Sequence, residues 1–306
     1  MDKFKDFDII STPYKTVGEH EIQVNVLIPR KLTEQPEGDC PVILRFHGGG
    51  FVTGDSLFPD WFPTWQVELA LAHNAIVVTP NYRFLPESTG GDIMQDMDDF
   101  WTWFTNSFVG LVQSEFPHVK PNLGQIMTAG ESAGGYLSVQ VAMDHAEYIN
   151  ACIAEFPCLD LQSSTFAKQD AEPKFPRAII EGHVASLKGG EIVSSDAAIS
   201  RFPLIMSMTE NGVFPDYFGR DDRLLPFRRL ENGDKTPPVF IVHGDDDEIV
   251  PVQGSKDFVK LLQSVQPESL VKLSTAPGGH GLHEKWQMDH PALKDGLDFA
   301  TSSWLK

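Results

Sequence analysis

Short apolar runs alternate with amphipathic stretches along most of the chain. A run that alternates apolar and polar residues, or that is continuously apolar and bounded by turn residues, predicts a strand. The seven predicted strands are residues 21–28, 41–46, 75–79, 125–129, 151–156, 239–242 and 269–274. We expect the first to be antiparallel to its neighbours. The continuously apolar runs are typical of parallel strands that are covered on both faces.

Helical patterns lie between and after these strands. The predicted helices are residues 92–104, 133–145, 255–263 and 291–304. Repeated strand–turn–helix units predict an α/β fold, in which right-handed crossovers build a mostly parallel central sheet flanked by helices. In such a sheet the functional site lies at the carboxyl ends of the strands.

Residues 159–234 interrupt this rhythm with scattered Pro, Phe and Met and with short helical patterns at 176–184 and 195–208. A structureless loop of that length is rare inside a compact domain. We therefore predict that residues 159–234 form a helical cap inserted between two strands. The remaining residues, 1–158 and 235–306, form the core.

Residues 130–134 read Gly-Glu-Ser-Ala-Gly, which matches the Gly-x-Ser-x-Gly turn around a nucleophilic serine. They follow a predicted strand and precede a predicted helix, which is the context that this turn requires. Small residues allow the chain to reverse sharply and to hold the hydroxyl outward. We predict that Ser132 is the nucleophile and that the amide of Ala133 faces the developing oxyanion. A strand–helix turn with a merely exposed serine is the alternative.

A second glycine-rich segment, residues 47–51 (His-Gly-Gly-Gly-Phe), follows the predicted strand 41–46. Three consecutive glycines allow backbone amides to converge on one point without side chains in the way. No Lys-Ser/Thr pair follows them, so a phosphate-binding loop is disfavoured. We interpret His47 as a hydrogen-bonding scaffold for this segment and not as an acid or base.

A nucleophilic serine requires a base and an acid that orients the base. Of the four acidic residues after the strand 239–242, Asp247 is the predicted acid, Asp246 is the second choice, and Asp245 is interpreted as structural. The predicted base is His280, on a glycine-flanked loop after the last strand. His283 and His290 are its rivals. The order Ser132, Asp247, His280 is the order that this fold requires.

Together these motifs resemble the hormone-sensitive-lipase-like branch of the α/β-hydrolases. Residues 81–87 (Asn-Tyr-Arg-Phe-Leu-Pro-Glu) are similar to a Tyr-Arg-Leu-x-Pro-Glu segment of that branch. The resemblance implies metal-free hydrolysis of carboxylic esters, without a cofactor, and an oxyanion hole built from Gly49, Gly50 and Ala133. It also implies that Glu131 replaces an aspartate that many members have. The short stretch before the glycines predicts an open site or a cap built mainly from residues 159–234.

The substrate class stays open at this level. The same triad serves thioesterases, lactonases and amidases of specialised metabolites, because all of them pass through an acyl-enzyme. Plant gibberellin receptors resemble this branch and bind a hormone instead, but they lack the histidine that His280 supplies here. Apolar residues of the predicted cap suggest either an apolar pocket or the core of the cap itself. They are Phe166, Phe175, Phe202, Met206, Met208, Phe214, Tyr217 and Phe218.

The net charge of the chain narrows the range of its possible binding partners. The chain carries 43 acidic and 24 basic residues, a formal net charge of −19, which argues against binding to nucleic acid or to an anionic membrane. No apolar run is long enough for a membrane span. Residues 1–6 do not resemble a secretory signal, and the three cysteines cannot all pair. These features favour a cytoplasmic protein that acts on a small-molecule ester. The oligomeric state is open, with a homodimer as one option.

Overall fold

Eight strands form one sheet in the computed structural model, which describes residues 3–34, 39–282 and 286–306. The strands are β1 (Phe7–Val17), β2 (His20–Pro29), β3 (Asp39–Phe46), β4 (Ile76–Pro80), β5 (Lys120–Glu131), β6 (Ile149–Glu155), β7 (Val239–Gly244) and β8 (Val271–Ala276). Their spatial order is β1-β2-β4-β3-β5-β6-β7-β8. β2 is antiparallel to both β1 and β4, and the other pairs are parallel. The predicted mostly parallel sheet is confirmed.

Helices flank the sheet and occupy the segment between β6 and β7. They are α1 (Arg30–Glu34), α2 (Thr64–Ala72), α3 (Gly90–Trp103), α4 (Val109–Glu115), α5 (Ala133–Asp144), α6 (Ser164–Ala167), α7 (Ala178–Ser186), α8 (Phe202–Glu210), α9 (Phe214–Phe218), α10 (Pro226–Glu231), α11 (Val252–Val265) and α12 (Pro291–Trp304). A π-helical turn at Phe104–Phe108 joins α3 to α4, and a 3₁₀ turn at Asp222–Leu224 precedes α10. None of the helices in the described ranges is both long and apolar enough to cross a membrane.

The hydrophobic core lies on both faces of the sheet. Along β3, the side chains of Val42 and Leu44 belong to one buried cluster and that of Ile43 belongs to the other, as the two-residue period of a strand requires. α3, α5 and α11 pack on the first face, and α2 and α12 pack on the second. Burial on both faces explains why the central strands are continuously apolar.

All seven predicted strands and all four predicted core helices occur, with shifted ends. α3 begins two residues before the predicted start because Thr89 caps it. The Thr89 hydroxyl accepts a hydrogen bond from the Asp92 amide at 3.2 Å, and the Asp92 carboxylate accepts one from the Thr89 amide at 2.8 Å. The sequence did not predict β1 or α2. β1 is an edge strand whose side chains are mostly half-buried or exposed, so its apolar alternation is weak.

The segment between β6 and β7 contains α6 to α10, and we call residues 159–234 the inserted segment. The predicted helix at 176–184 corresponds to α7. The predicted helix at 195–208 is wrong over its first half, because α8 begins only at Phe202. The residues before α8 instead run beside the loop that follows β3, where the amide of Asp196 donates to the carbonyl of Gly54 at 2.7 Å.

Candidate active site

Ser132 lies in a sharp turn between β5 and α5. Its backbone angles are φ 57° and ψ −117°, a region that residues other than glycine rarely occupy. The neighbouring strand holds the turn, because the Ser132 amide donates to the Glu155 carbonyl at 2.9 Å. The local structure is the strand–turn–helix that the Gly-x-Ser-x-Gly pattern predicts.

Gly134 allows the end of β3 to approach this turn. A Cβ atom on Gly134 would lie 2.0 Å from the carbonyl oxygen of Phe46 and 2.7 Å from that of His47. Any larger residue would therefore push the two segments apart. Because they touch, the glycine loop (residues 47–54) lies next to Ser132, and a Cβ on Gly48 would be 3.5 Å from the Cβ of Ser132.

Ser132, His280 and Asp247 form a continuous chain of hydrogen bonds. His280 Nε2 is 3.0 Å from Ser132 Oγ, and His280 Nδ1 is 2.8 Å from Asp247 Oδ2. A carboxylate can only accept, so Nδ1 carries the proton that it donates to Asp247. Nε2 is then left with a lone pair that faces the serine hydroxyl. The arrangement is that of a serine activated by a general base.

The Asp247 side chain is buried and accepts hydrogen bonds from several donors. Its Oδ1 accepts from the amides of Ile249 at 2.9 Å and Val250 at 2.8 Å, and its Oδ2 is also 3.2 Å from His243 Nε2. Burial by itself would raise the pKa of Asp247. The hydrogen bonds from His243 and His280 outweigh burial and hold the pKa below the ordinary value of an aspartate. Asp247 is therefore ionised at neutral pH.

The other acidic and basic candidates lie elsewhere. Asp245 and Asp246 are exposed, and Asp246 Oδ2 is 3.3 Å from the amide of Gly278, which donates to it. His290 caps α12, where its Nδ1 accepts from the Ala292 amide at 3.3 Å. His283 lies outside the described residues. Of the alternatives that the sequence left open, the structure brings Asp247 and His280 to Ser132.

His47 is part of the scaffold of the glycine loop. Its ring stacks on Tyr82 with centroids 4.4 Å apart, and the Tyr82 hydroxyl donates to the His47 carbonyl at 2.7 Å. Burial lowers the pKa of His47 to about 4, so the ring is neutral at pH 7. These contacts agree with its interpretation as a scaffold.

The glycine loop has unpaired amides near Ser132. Within the described part of the chain, no protein acceptor takes the amide hydrogen of Gly49, Gly50 or Ala133. Gly49 and Gly50 have φ of +106° and +62°, which glycine adopts without strain. Ala133 is the first residue of α5, where amides have no partner within the helix.

A buried charged layer beneath the loop was missed by the sequence reasoning. Arg45 is fully buried on β3 and donates to Glu131, whose Oε1 also accepts from the Gly48 amide at 3.1 Å. Burial raises the pKa of Glu131 to about 7, although Arg45 and the Gly48 amide act in the opposite direction. Glu131 thus ties the serine turn to the glycine loop. An arginine inside the apolar run 41–46 was the one signal of this layer.

His243 was also missed as a contributor. It is fully buried at the end of β7, and its Nδ1 is 2.8 Å from Ser255 Oγ. Its Nε2 is 2.8 Å from the carbonyl of Val250 and therefore carries the hydrogen that also faces Asp247. A histidine in an otherwise apolar strand, directly before the acidic turn, is the signal that pointed to it.

A cavity of about 250 Å³ lies beside Ser132 and His280. Its lining is mostly apolar, and one wall is a single face of α8 with spacing i, i+3, i+4 and i+7. The residues of that face are Phe202, Ile205, Met206 and Thr209. The described residues contain no group of three or more His, Cys, Asp or Glu side chains with the geometry of a metal site.

The eight apolar residues for which the sequence left open a pocket or the core of the cap divide into two sets. Phe166, Phe202, Met206 and Phe214 line the cavity. The other four, Phe175, Met208, Tyr217 and Phe218, are not among its lining residues. Met208 points to the other side of α8 from Met206 and is fully buried, and Phe218 stacks on Phe214. The helical period decides which residues of α8 face the cavity. In so short a segment, the sequence alone does not show which face that is.

The fold is that of a known class of proteins. The family model described as alpha/beta hydrolase fold matches residues 43–272. The chain therefore belongs to the α/β-hydrolase fold family, in its hormone-sensitive-lipase-like branch. It is a carboxylesterase-type hydrolase.

Particular relatives support this class. The chain is 31% identical to the probable carboxylesterase M8 of a Phoma species over 314 residues, which cover 99% of this chain and 98% of that protein. It is 25% identical to a part of the non-reducing polyketide synthase Preu6 of Preussia isomera, over 96% of this chain and 15% of that protein. The crystal structure of carboxyl esterase 2 from Tuber melanosporum is similar in fold, with a TM-score of 0.62, 18% identity, and coverage of 98% of this chain and 88% of that chain.

Proposed function

We propose that the protein hydrolyses carboxylic esters of small, largely apolar molecules through a Ser132–His280–Asp247 triad. One observation carries the proposal. A chain of hydrogen bonds runs from Asp247 Oδ2 through His280 to Ser132 Oγ, with steps of 2.8 and 3.0 Å. Its Ser132 end borders an apolar cavity beside unpaired backbone amides. Nucleophile, base and oxyanion donors are thereby within reach of one bound carbonyl group.

The reaction follows from the roles of these groups. His280 Nε2 takes the hydroxyl proton of Ser132 while Oγ attacks the ester carbonyl. The amides of Gly49, Gly50 and Ala133 donate to the oxyanion that forms. His280 then returns the proton to the departing alkoxide, which leaves as the alcohol, and the acyl group stays on Ser132. A water molecule that gives its proton to His280 attacks the acyl-enzyme, and His280 then returns that proton to Ser132 Oγ as the acyl–oxygen bond breaks and the acid is released.

The inserted segment (residues 159–234) acts in this proposal as a cap on the core of residues 1–158 and 235–306. Support comes from α8, one face of which borders the cavity, and from Phe166 and Phe214 on neighbouring helices. Among the described residues that line the cavity, none is a lysine or an arginine that could pair with an acidic substrate. A neutral, apolar acyl or aromatic group is the substrate portion that this cavity suits.

The substrate class is tested with a series of p-nitrophenyl esters. We expect hydrolysis of the acetate and butyrate esters and a lower kcat/KM for the laurate ester, whose chain exceeds the cavity. The succinate half-ester should be at least about tenfold poorer than the butyrate, because the described lining of the cavity has no lysine or arginine to pair with its carboxylate. Met206→Ala should extend the range toward longer chains. Absence of hydrolysis of every ester would refute the proposed activity.

Gly49→Ala tests the oxyanion loop. A Cβ on Gly49 would lie 1.9 Å from the Thr53 carbonyl oxygen, at a φ of +106°. The loop must therefore move, and kcat should fall by about 10²–10³, the cost of losing one oxyanion donor. Gly190→Ala is the control, since Gly190 also has a positive φ (+81°) but no atom lies within 4 Å of its added Cβ. It should leave kcat unchanged. Equal kcat in Gly49→Ala and wild type would contradict the role of the loop.

A thioester or lactone of a polyketide is the second candidate substrate. It is favoured by the likeness of nearly the whole chain to a part of a polyketide synthase. The same residues would act, because the acyl-enzyme is common to both substrates. An N-acetylcysteamine thioester compared with the ethyl ester of the same acid distinguishes the two. A thioester preference well above the difference in their uncatalysed rates would favour this candidate.

A further inference from the structure

We propose that Arg201 is a positioning residue, which holds the glycine loop and the cavity wall on α8 in one fixed arrangement. The inference deepens the proposed ester hydrolysis and rests on it. Residues 81–87 form a sequence motif to which the proposed reaction gives no role. The last residue of that motif, Glu87, pairs with the inserted segment.

The Arg201 guanidinium connects the inserted segment to two other parts of the chain, the glycine loop and residues 85–87. Its Nε donates to the carbonyl of Val52 in the glycine loop at 2.6 Å. Its Nη2 donates to the carbonyl of Leu85 at 2.8 Å and to Glu87 Oε2 at 2.6 Å, and its Nη1 donates to Glu87 Oε1 at 3.0 Å. The Glu87 side chain is 1% exposed and that of Arg201 is 13% exposed. This use of the planar fork is specific to arginine.

The same residue leads directly into the cavity wall. Arg201 immediately precedes α8, which begins at Phe202. Ile205 of α8 lies against the glycine loop, because a Cβ on Gly50 would be 2.6 Å from Ile205 Cγ1. The cavity wall and the amide of Gly50 are therefore neighbours, and the Arg201 side chain sets their spacing.

Asp196 provides a second tie between the same two segments. Its Oδ2 accepts from the Thr53 hydroxyl at 2.7 Å and from the Arg201 amide at 2.8 Å. Its own amide donates to the carbonyl of Gly54 at 2.7 Å. The chain from 196 to 201 is thus fastened along residues 52–54. Asp196 holds the Arg201 backbone while the guanidinium holds Val52.

Loss of the guanidinium should act on catalysis through geometry. Without it the Val52 carbonyl loses its donor, and the Gly49 and Gly50 amides no longer have a fixed distance to Ser132. Displacement of a group by about 1 Å can cost about 10²-fold in rate. The reduction should appear in kcat even for the smallest ester, because the oxyanion donors serve every substrate. KM for that ester should change little.

The experiment compares Arg201→Ala, Arg201→Lys and Arg177→Ala with p-nitrophenyl acetate. Arg177 is the matched control, since it is an exposed arginine of the inserted segment whose one ion-pair partner among the described residues is Glu181, four residues later. We expect kcat to fall about 30–100-fold in Arg201→Ala, to fall less in Arg201→Lys, and to equal wild type in Arg177→Ala. Millimolar guanidinium chloride should restore kcat of Arg201→Ala in part, while ammonium chloride should not.

Two results would overturn the proposal: a folded Arg201→Ala with the kcat of wild type, or a loss of kcat that guanidinium does not reduce. If Arg201→Ala fails to fold, Glu87→Gln replaces it, because it keeps the shape and weakens the hold on the guanidinium. Its kcat should then fall with KM unchanged, and an unchanged kcat would refute the role. The wild-type protein, measured in the same experiment, distinguishes failure of the proposed ester hydrolysis from failure of the proposed role of Arg201. An inactive wild type refutes ester hydrolysis itself, whereas an active wild type with equally active variants refutes only the role of Arg201.

Discussion

Replacement of Ser132 with alanine is expected to lower kcat for a neutral aryl ester by about 10⁶-fold, as loss of the nucleophile does in other serine hydrolases. The substitution removes one oxygen atom, to which His280 Nε2 is 3.0 Å distant. Without that oxygen no acyl-enzyme forms, and the unpaired amides of the glycine loop can accelerate only a direct attack by water. The reduction should therefore appear in kcat, while KM reports an intact cavity.

The fold should tolerate this change. Alanine and serine are equally strained at φ 57°, and the backbone bond from residue 132 to Glu155 does not involve the side chain. The midpoint of thermal unfolding is expected to stay within a few degrees of wild type. Ser264→Ala is the matched control, at an exposed position of α11 where the hydroxyl donates to the Leu261 carbonyl. Ser132→Ala with more than a small fraction of the wild-type rate would contradict the assignment.

Asp247→Asn is expected to lower kcat by about 10⁴-fold. Four donors converge on the two oxygens of Asp247, from His280, His243, Ile249 and Val250. An asparagine amide group must present its own hydrogens to at least one of them. If that partner is His280, the ring is left in the wrong tautomer, with the proton on the nitrogen that faces Ser132. Because the site is buried, a donor or acceptor that is left there without a partner costs free energy.

Asp246→Asn is the control that separates the two acidic candidates. Asp246 is exposed and accepts from the amide of Gly278 at 3.3 Å, so its replacement should change kcat by less than about twofold. Both variants are measured with the same ester and checked for folding by circular dichroism. A larger effect of Asp246→Asn than of Asp247→Asn would show that the acid has been misassigned.

Much of the sheet and of the candidate site could be predicted from local patterns. The central strands are apolar on both faces, which is visible in one sequence. Each predicted site residue follows such a strand, except His280, which follows the edge strand β8. The glycines carry a second kind of information, because a turn with φ 57° at Ser132 and a close approach at Gly134 permit few residue types. The spacing after β7 was sufficient to favour Asp247 over Asp246.

What the sequence did not predict depends on contacts between distant residues. Arg45 and Glu131 are 86 positions apart, and each on its own is an ordinary charged residue. Arg201 and Glu87 are 114 positions apart. Before α8, Asp196 and Arg201 hydrogen-bond to the glycine loop instead of extending the helix. The edge strand β1 was not predicted for a different reason, because few of its side chains are buried.

The central claim is that Ser132 is the residue that becomes acylated. Its most direct test is a reaction of the wild-type protein with a fluorophosphonate, followed by intact mass measurement and peptide mapping. One adduct per chain is expected, located on the peptide that contains Ser132, with complete loss of esterase activity. No adduct is expected on Ser132→Ala. An adduct on any other residue, or full esterase activity in the labelled protein, would show that Ser132 is not the residue that becomes acylated.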